Sequence, residues 1–437
     1  QHHRLPLPFA GPAGAGAGAA AGLTIPTDGR WPRGGAAPPT RSPSGDALHP
    51  ASEANADTAG FEFRAATRLV VGAGAVRRLG DLARGLGGTR VLVASDPGVV
   101  RAGHTAAGLE SLRAAGIVTA VFDGFGENPT TAHVEAGTAV AREFAPDLLV
   151  GLGGGSSMDC AKGINFLLCC GGRMQDYRGR HTATAPLLPT IAVPTTAGTG
   201  SETQSFALIT DDATGMKMAC GDPRAAFRVA ILDVTLTLTQ PARVTALTGI
   251  DALSHAVESH VSRAATPASR VFSRAAFVLL AHGLPRVFTD PADVAARSDV
   301  QLGAAWAGLA IENAMLGAAH ALANPLTAAH HVVHGQAVGL MLPHVVRFNA
   351  TAGAAGYGEL AAAIPGPATD APPAERLAIW LETIVGRSGL ARSLGALGLA
   401  TADIPSLAAA AAGQWTAGFN PRPVAAADLS LLYEAAR

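Results

Sequence analysis

Charge is scarce in this chain. Asp, Glu, Lys and Arg make up 15% of its 437 residues, against about 25% in an average globular domain. The 32 Lys and Arg are matched by 33 Asp and Glu, for a net charge of −1. That balance removes the one-signed field that nucleic acid or an anionic membrane surface would require. Cysteine is also scarce: Cys160, Cys169, Cys170 and Cys220 are the only four. They are too few and too irregularly spaced for a disulfide framework. The missing C-x-x-C pair speaks against a cysteine-based structural zinc site. They read instead as small buried hydrophobes in a reducing compartment, so a cytoplasmic protein is expected. No run of about 18 uninterrupted, strongly apolar residues is found, so no membrane span is expected. The first residue is Gln1 rather than Met, so a start further upstream is expected.

What is abundant is apolar: 48% of the residues are hydrophobic, which argues against disorder over most of the chain and for extensive alanine-rich packing. At this length two or three domains with buried cores are possible. Residues 1–58 stand apart. Segments such as GPAGAGAGAAAG (11–22) and GGAAPPTRSPSGD (34–46) keep neither helical nor strand periodicity, and a flexible low-complexity tail is expected. His2, His3 and Arg4 before a small-residue run suggest a signal peptide as the rival reading, but Pro and Gly sit where a compact apolar core belongs.

From Phe61 to about Asp233, short β-branched runs alternate with helical stretches. RVLVAS (90–95), VTAVFD (118–123), DLLVGLG (147–153), TIAVPT (190–195) and RVAILD (228–233) are candidate strands. HVEAGTAVAREF (133–144) is a helix between two of them. The alternation predicts a parallel sheet covered by helices. After about Leu238 the strand runs stop and long Ala/Leu/Val segments at helical spacing follow, as in ALTGIDALSHAVESHVS (246–262) and SRAAFVLLAHGL (273–284). The expected organisation is a tail (1–58), a Rossmann-like α/β domain (59–238) and an all-helical domain (239–437), with no internal repeat.

DLLVGLGGGSSMDCAK (147–162) reads as a strand, a glycine turn and a helix start. Gly153, Gly154 and Gly155 let backbone approach a ligand closely. Ser156 and Asp159 have capping-box spacing, and free N–H groups at the helix start suit a pyrophosphate. The bland alternative is a tight turn with no ligand, and the pattern is not a clean G-x-G-x-x-G after the first strand. VPTTAGTGSETQS (193–205) follows the next strand with Thr195, Thr196, Thr199 and Ser201. Alone it is an ordinary polar loop. Two such loops at the carboxyl edge of one sheet point to a ligand there.

The histidines are concentrated too: eight of the 14 fall between His255 and His344. Asp251 and His255 are four apart in a helical pattern and share a face. His320 and His334 are 14 apart, with Pro325 expected to break any single helix between them. One carboxylate and three neutral imidazoles suit a divalent first-row metal. Any one of these histidines could instead be an ordinary core or surface residue, and spacing does not choose among His330, His331 and His334.

These segments together resemble the iron-containing (group III, metal-dependent) alcohol dehydrogenase family. GENPT (126–130), GGGSSMDCAK (153–162), PTTAGTGSE (194–202), TGIDALSHAVES (248–259), AHALANPL (319–326), HGQAVGLMLPHVVRFN (334–349) and GFNPRP (418–423) occur in the family's order from about Phe61 onward. The resemblance implies the dehydroquinate synthase-like fold of that family. It also implies Asp251, His255, His320 and His334 as catalytic metal ligands, with His334 preferred to His330 and His331 because it opens the HG segment. The implied ion is iron, with zinc the alternative. Implied cofactor contacts are Asp96, Asn128, Gly154, Gly155, Ser156, Asp159, Thr195, Thr196, Thr199, Ser205 and Lys217. Asp96 closes a strand where an acid beside the adenosine ribose would repel a 2′-phosphate, favouring NAD over NADP. Asn324 stands where many members carry a further His, which puts proton relay and substrate range in question.

The expectation is hydride transfer between a small alcohol or aldehyde and NAD, by a homo-oligomer that is a dimer or larger. Alternatives within the family are a hydroxyacid–oxoacid transhydrogenase and a maleylacetate-type reductase, the latter disfavoured by the full ligand set. A lyase of dehydroquinate-synthase type would need basic phosphate-binding residues not found here. A non-enzymatic remnant would not be expected to keep every ligand position.

Overall fold

The five anticipated strands form, and the inner ones are buried on both faces of one sheet. In the computed structural model, which describes residues 60–367 and 369–437, the strands are β1 (Arg68–Val71), β2 (Arg90–Ala94), β3 (Val118–Phe122), β4 (Leu148–Gly153), β5 (Thr190–Pro194), β6 (Phe206–Thr210), β7 (Lys217–Gly221) and β8 (Val229–Leu232). Six make one parallel sheet in the order β1-β8-β5-β4-β2-β3. Every residue of β4, β5 and β8 is buried, the continuous apolar signature of a sheet covered on both sides. The tail expected over residues 1–58, and the signal-peptide alternative with it, lie outside the described residues.

Three strands were not anticipated. Among the described residues β1 is an edge strand with one buried residue, paired only to β8, so its sequence carries little apolar signal. β6 and β7 form a separate antiparallel pair, whose tertiary partners rather than their own pattern bury them.

Five helices accompany the sheet: α1 (Leu79–Gly85), α2 (Pro97–Arg101), α3 (His104–Ala114), α4 (Thr131–Phe144) and α5 (Gly155–Cys170). Among the described residues, the chain after β8 is helical: α6 (Ala242–Val261), α7 (Pro267–Thr289), α8 (Val294–Ala314), α9 (Ala318–His330), α10 (His334–Phe348), α11 (Ala354–Ala362), α12 (Pro373–Arg387), α13 (Ile404–Ala412) and α14 (Ala426–Ala435). The architecture is thus a Rossmann-like parallel sheet domain followed by an all-helical one. α6 is the axis of the second part, buried at every position from Thr245 to Val261 except Thr248. Ile250, Leu253 and Val257 on α6 share one core with Phe277, Leu280 and Leu284 on α7 and Val338 and Met341 on α10.

Two local expectations are corrected, and a third meets a near-exception. Ser156 and Asp159 do not form a capping box: Gly154 is the N-cap of α5, with no side-chain cap, because Asp159 turns inward to another partner. Pro325 does not break its helix; α9 runs through it to His330, and the break comes at His331, which adopts φ 54°. The freed carbonyl of one turn is a smaller cost than unpacking a helix whose residues from Ala318 to Ala323 are all buried. Lastly, α7 is long and apolar enough, by length and composition, to cross a membrane. Here its Phe277, Leu280 and Leu284 pack in the helical core, and Arg270, Arg274 and Arg286 interrupt its run.

Candidate active site

Burying ionisable groups is expensive unless they pair or bind an ion, yet α6 buries three on one face. Asp251, His255 and Glu258 fall at i, i+4 and i+7 on one helical face and are 6%, 5% and 4% exposed. α9 presents His320, 3% exposed, and α10 opens with the half-buried His334. The break at His331 turns the chain between α9 and α10, so His320 and His334 reach the same point from separate helices.

Asp251 Oδ1 is the focus. It lies 3.3 Å from His255 Nε2, 3.5 Å from His320 Nε2 and 3.7 Å from His334 Nε2. Asp251 Oδ1 and His320 Nε2 are buried without a hydrogen-bond partner. Four ligand atoms about 2.1 Å from a shared tetrahedral centre would be separated by about 3.4 Å. The three distances from Asp251 are close to that edge, and the unpaired atoms of Asp251 and His320 are those that would face the centre. The donor set therefore fits a divalent cation; among the described residues, ligand atoms of Asp251, His320 and His334 all lie within 4.8 Å of one another, a group that leaves His255 at its margin.

Electrostatics follow from the same packing. Burial pushes the Asp251 carboxyl up, but His255, His320 and His334 more than offset it and hold the group far below the usual carboxylate range. Burial pushes His255 down to about 4 and His334 down to about 3, which keeps both imidazoles neutral and able to donate a lone pair. His320 differs: against burial, the carboxylates of Asp251 and Glu258 push it up to about 9.

The sheet edge holds the second constellation. β2, β4 and β5 are neighbours, so the residues after their carboxyl ends meet. Asp96 follows β2 and caps α2, Oδ1 accepting from Gly98 N at 2.9 Å and Val99 N at 3.2 Å. Ser157 Oγ reaches its other oxygen at 3.2 Å. Gly153 has φ 151°, and a Cβ there would lie 2.2 Å from Ser157 Oγ and 3.2 Å from Asp96 Oδ2, so a side chain is excluded from the turn. A Cβ on Gly154 would lie 3.3 Å from Thr196, and one on Gly155 would collide with Thr199 at 2.7 Å. The glycine turn and the hydroxyl loop are in direct contact. Thr195 N donates to Gly153 O at 2.9 Å.

Asn128, at φ 54°, donates its N–H to Ser156 Oγ at 3.2 Å and accepts from Lys217 Nζ at 3.1 Å. β7 thereby brings Lys217 to the turn. Asp159 and Ser205, the other two expected contacts, are also buried. Asp159 is buried and accepts from Ser201 Oγ at 2.7 Å, while Ser205 Oγ donates to Glu312 Oε1 at 2.5 Å. Both hydrogen bonds brace the loop. Lys162 completes that bracing, fully buried, with Nζ donating to Ser201 O, Ser201 Oγ and Phe206 O.

His330 and His331 stay outside the cluster, His331 exposed at the helix break. Asn324 lies one turn beyond His320 and donates to Gln414 Oε1 at 3.0 Å. Glu258 was not singled out from the sequence, although its position seven residues after Asp251 placed it on the ligand face.

The comparisons with known proteins agree with this geometry. Residues 66–234 match the model of iron-containing alcohol dehydrogenase, and residues 245–437 match that of the Fe-containing alcohol dehydrogenase family C-terminal region. The chain is 33% identical over 365 residues to an NAD-dependent methanol dehydrogenase of Bacillus methanolicus, covering 83% of this chain and 96% of that one. It is 35% identical over 369 residues to a 1,3-propanediol dehydrogenase of Klebsiella pneumoniae, covering 83% and 95%. A crystal structure of 1,3-propanediol oxidoreductase superposes with a TM-score of 0.84 at 32% identity, over 87% of this chain and all of that one. With the two halves matched in order and the imidazoles gathered on one buried carboxylate, the chain belongs to the iron-containing alcohol dehydrogenase family.

Proposed function

We propose that the protein is a metal-dependent oxidoreductase moving hydride between a small alcohol or aldehyde and NAD(H). The observation that carries this reading is the convergence of three imidazole Nε2 atoms on Asp251 Oδ1 at 3.3–3.7 Å, within the same compact unit as a glycine turn suited to a dinucleotide. When bound, a divalent ion supplies Lewis acidity to a substrate oxygen, and the nicotinamide supplies or accepts the hydride.

The chain's own residues supply the rest. Asp251, His255, His320 and His334 would hold the ion: Asp251 offers the negative charge, and burial keeps His255 and His334 as neutral donors. α6, α9 and α10 fix the directions of the four side chains. Gly154, Gly155 and Ser156 at the start of α5 offer backbone N–H groups to a pyrophosphate, with Thr195, Thr196 and Thr199 above them. Asn128 and Lys217 form one hydrogen-bonded wall of that cleft, and Asp159 and Ser205 support its floor. Asp96 places a carboxylate beside the turn, where a ribose 2′-hydroxyl is accepted and a 2′-phosphate repelled. The four cysteines are free thiols, which suits a reducing compartment such as the cytoplasm.

The test is a graded series of alcohols and aldehydes followed by NADH absorbance on metal-loaded and metal-stripped protein. Turnover with NAD and short alcohols is expected only in the loaded form. Undiminished turnover after stripping would overturn the reading.

A further inference from the structure

His320 is held from both sides. Its Nε2 faces Asp251, and its Nδ1 lies 2.6 Å from Glu258 Oε2. The other oxygen of Glu258 accepts from Ala319 N at 2.7 Å. Glu258 is 4% exposed and comes from α6, so one carboxylate fixes both the backbone and the imidazole at the start of α9. α9 has no cap of its own. Its N-cap is Gly317, where a Cβ would lie 3.0 Å from Glu258 Oε1 and 3.1 Å from Asn420 Oδ1. Asn420, from the GFNPRP segment, accepts from Ala318 N at 3.3 Å and exchanges hydrogen bonds with Asn349 at 2.9 and 2.8 Å.

We propose that Glu258 is the positioning residue of the metal centre: it holds the proton of His320 on Nδ1 and so directs the Nε2 lone pair at the ion. The proposal rests on the metal reading above. A carboxylate can only accept hydrogen bonds, so its partner Nδ1 must carry hydrogen, which makes Nε2, beside Asp251 Oδ1, the nitrogen whose lone pair can serve an ion. The partner of a ligating imidazole sets which nitrogen binds and how basic it is, and its loss typically lowers metal affinity about 10- to 100-fold. The alternative role is mechanical, a cap for α9 supplied by a neighbouring helix.

Glu258→Gln separates the two roles. If the amide oxygen keeps the bond from Ala319 N, the amide N–H₂ faces Nδ1, which must then accept. That places the proton on Nε2, where it blocks ligation, while the cap survives. Zn²⁺ affinity is measured by chelator competition, with NADH binding by fluorescence and melting of the metal-free protein as companions. Glu258→Gln is expected to bind Zn²⁺ about 10- to 100-fold more weakly, with NADH binding and metal-free melting close to wild type. In a His320→Ala background the same change should have no further effect on Zn²⁺. Asn420→Ala, which removes the other α9 cap, should lower metal-free melting and leave Zn²⁺ affinity near wild type.

Wild-type Zn²⁺ affinity in Glu258→Gln overturns the proposal. So does an equal loss in the His320→Ala background, or an equal loss of Zn²⁺ affinity in Asn420→Ala, which would make capping the cause. Failure of the wild-type protein to take up Zn²⁺ is a different result: it overturns the metal reading itself, and Glu258's role with it.

Discussion

Asp96 shows how much one side chain can be asked to do: it caps α2 through Gly98 and Val99, and it stands beside Gly153. Replacing an acidic N-cap by Gly costs only a few tenths of a kcal/mol, so Asp96→Gly should change cofactor choice far more than stability. The expected outcome is a lower kcat/KM with NAD and a higher ratio of NADP to NAD use. A wild-type protein that already prefers NADP would contradict it. At the metal centre, His320→Ala and His334→Ala should each bind metal far more weakly, with less metal per subunit by elemental analysis, while NAD binding persists. The controls are His330→Ala and His331→Asn, the latter because His331 sits at φ 54°, which Asn tolerates better than Ala. Both should keep their metal.

Among the elements, the contact between α6 and α10 decides where His334 points. A Cβ on Gly335 would fall 2.1 Å from Leu247 O, backbone that cannot turn aside. A Gly to Ala change inside a helix ordinarily stabilises by about 1 kcal/mol. Here the collision should reverse the sign, costing about 1–3 kcal/mol as overpacking does. Gly335→Ala is therefore expected to melt earlier and, because α10 is displaced at its first turn, to bind metal more weakly; unchanged melting would show that α10 accommodates the methyl freely. α9 and α10 also teach a limit of pattern reading. Pro325 looked like a breaker, and the break fell instead at His331, since backbone φ at one exposed residue is not written in hydrophobic spacing. The strand runs were legible where both faces are buried, as in β4 and β5. They were silent at β1, a four-residue edge strand with a single buried residue, whereas β3 at the other edge was legible through its run of Val, Thr and Phe.

Over the whole molecule, residues Gly60–Arg437 form one compact unit, and α8 shows how the sheet and the helices are joined. Thr203 Oγ1 donates to Ala305 O at 2.9 Å, Gln301 Nε2 to Pro194 O at 3.3 Å, and Glu312 receives Ser205. A Cβ on Gly308 would meet Gly200 O at 2.5 Å. The hydroxyl loop is thereby seated on the helical layer that carries the metal ligands. Both family matches begin at residue 66 or later. Deleting residues 1–58, whose composition builds no core, should leave melting temperature and NADH-linked turnover nearly unchanged. A large loss in either would assign the segment a structural part.

The order of motifs, the αβ alternation and the Asp251–His255 pair were determined by the sequence itself, because they depend on local spacing and on periods of two and 3.6 residues. Tertiary structure decided the rest. It chose His334 over its neighbours by turning the chain at His331, and it turned Asp159 and Ser205 into buried braces. It also placed Glu258 behind His320, 62 residues away in the chain. These are outcomes of which helix packs against which. A residue's chemistry there depends on what faces it across the interface, and no local pattern encodes that partner.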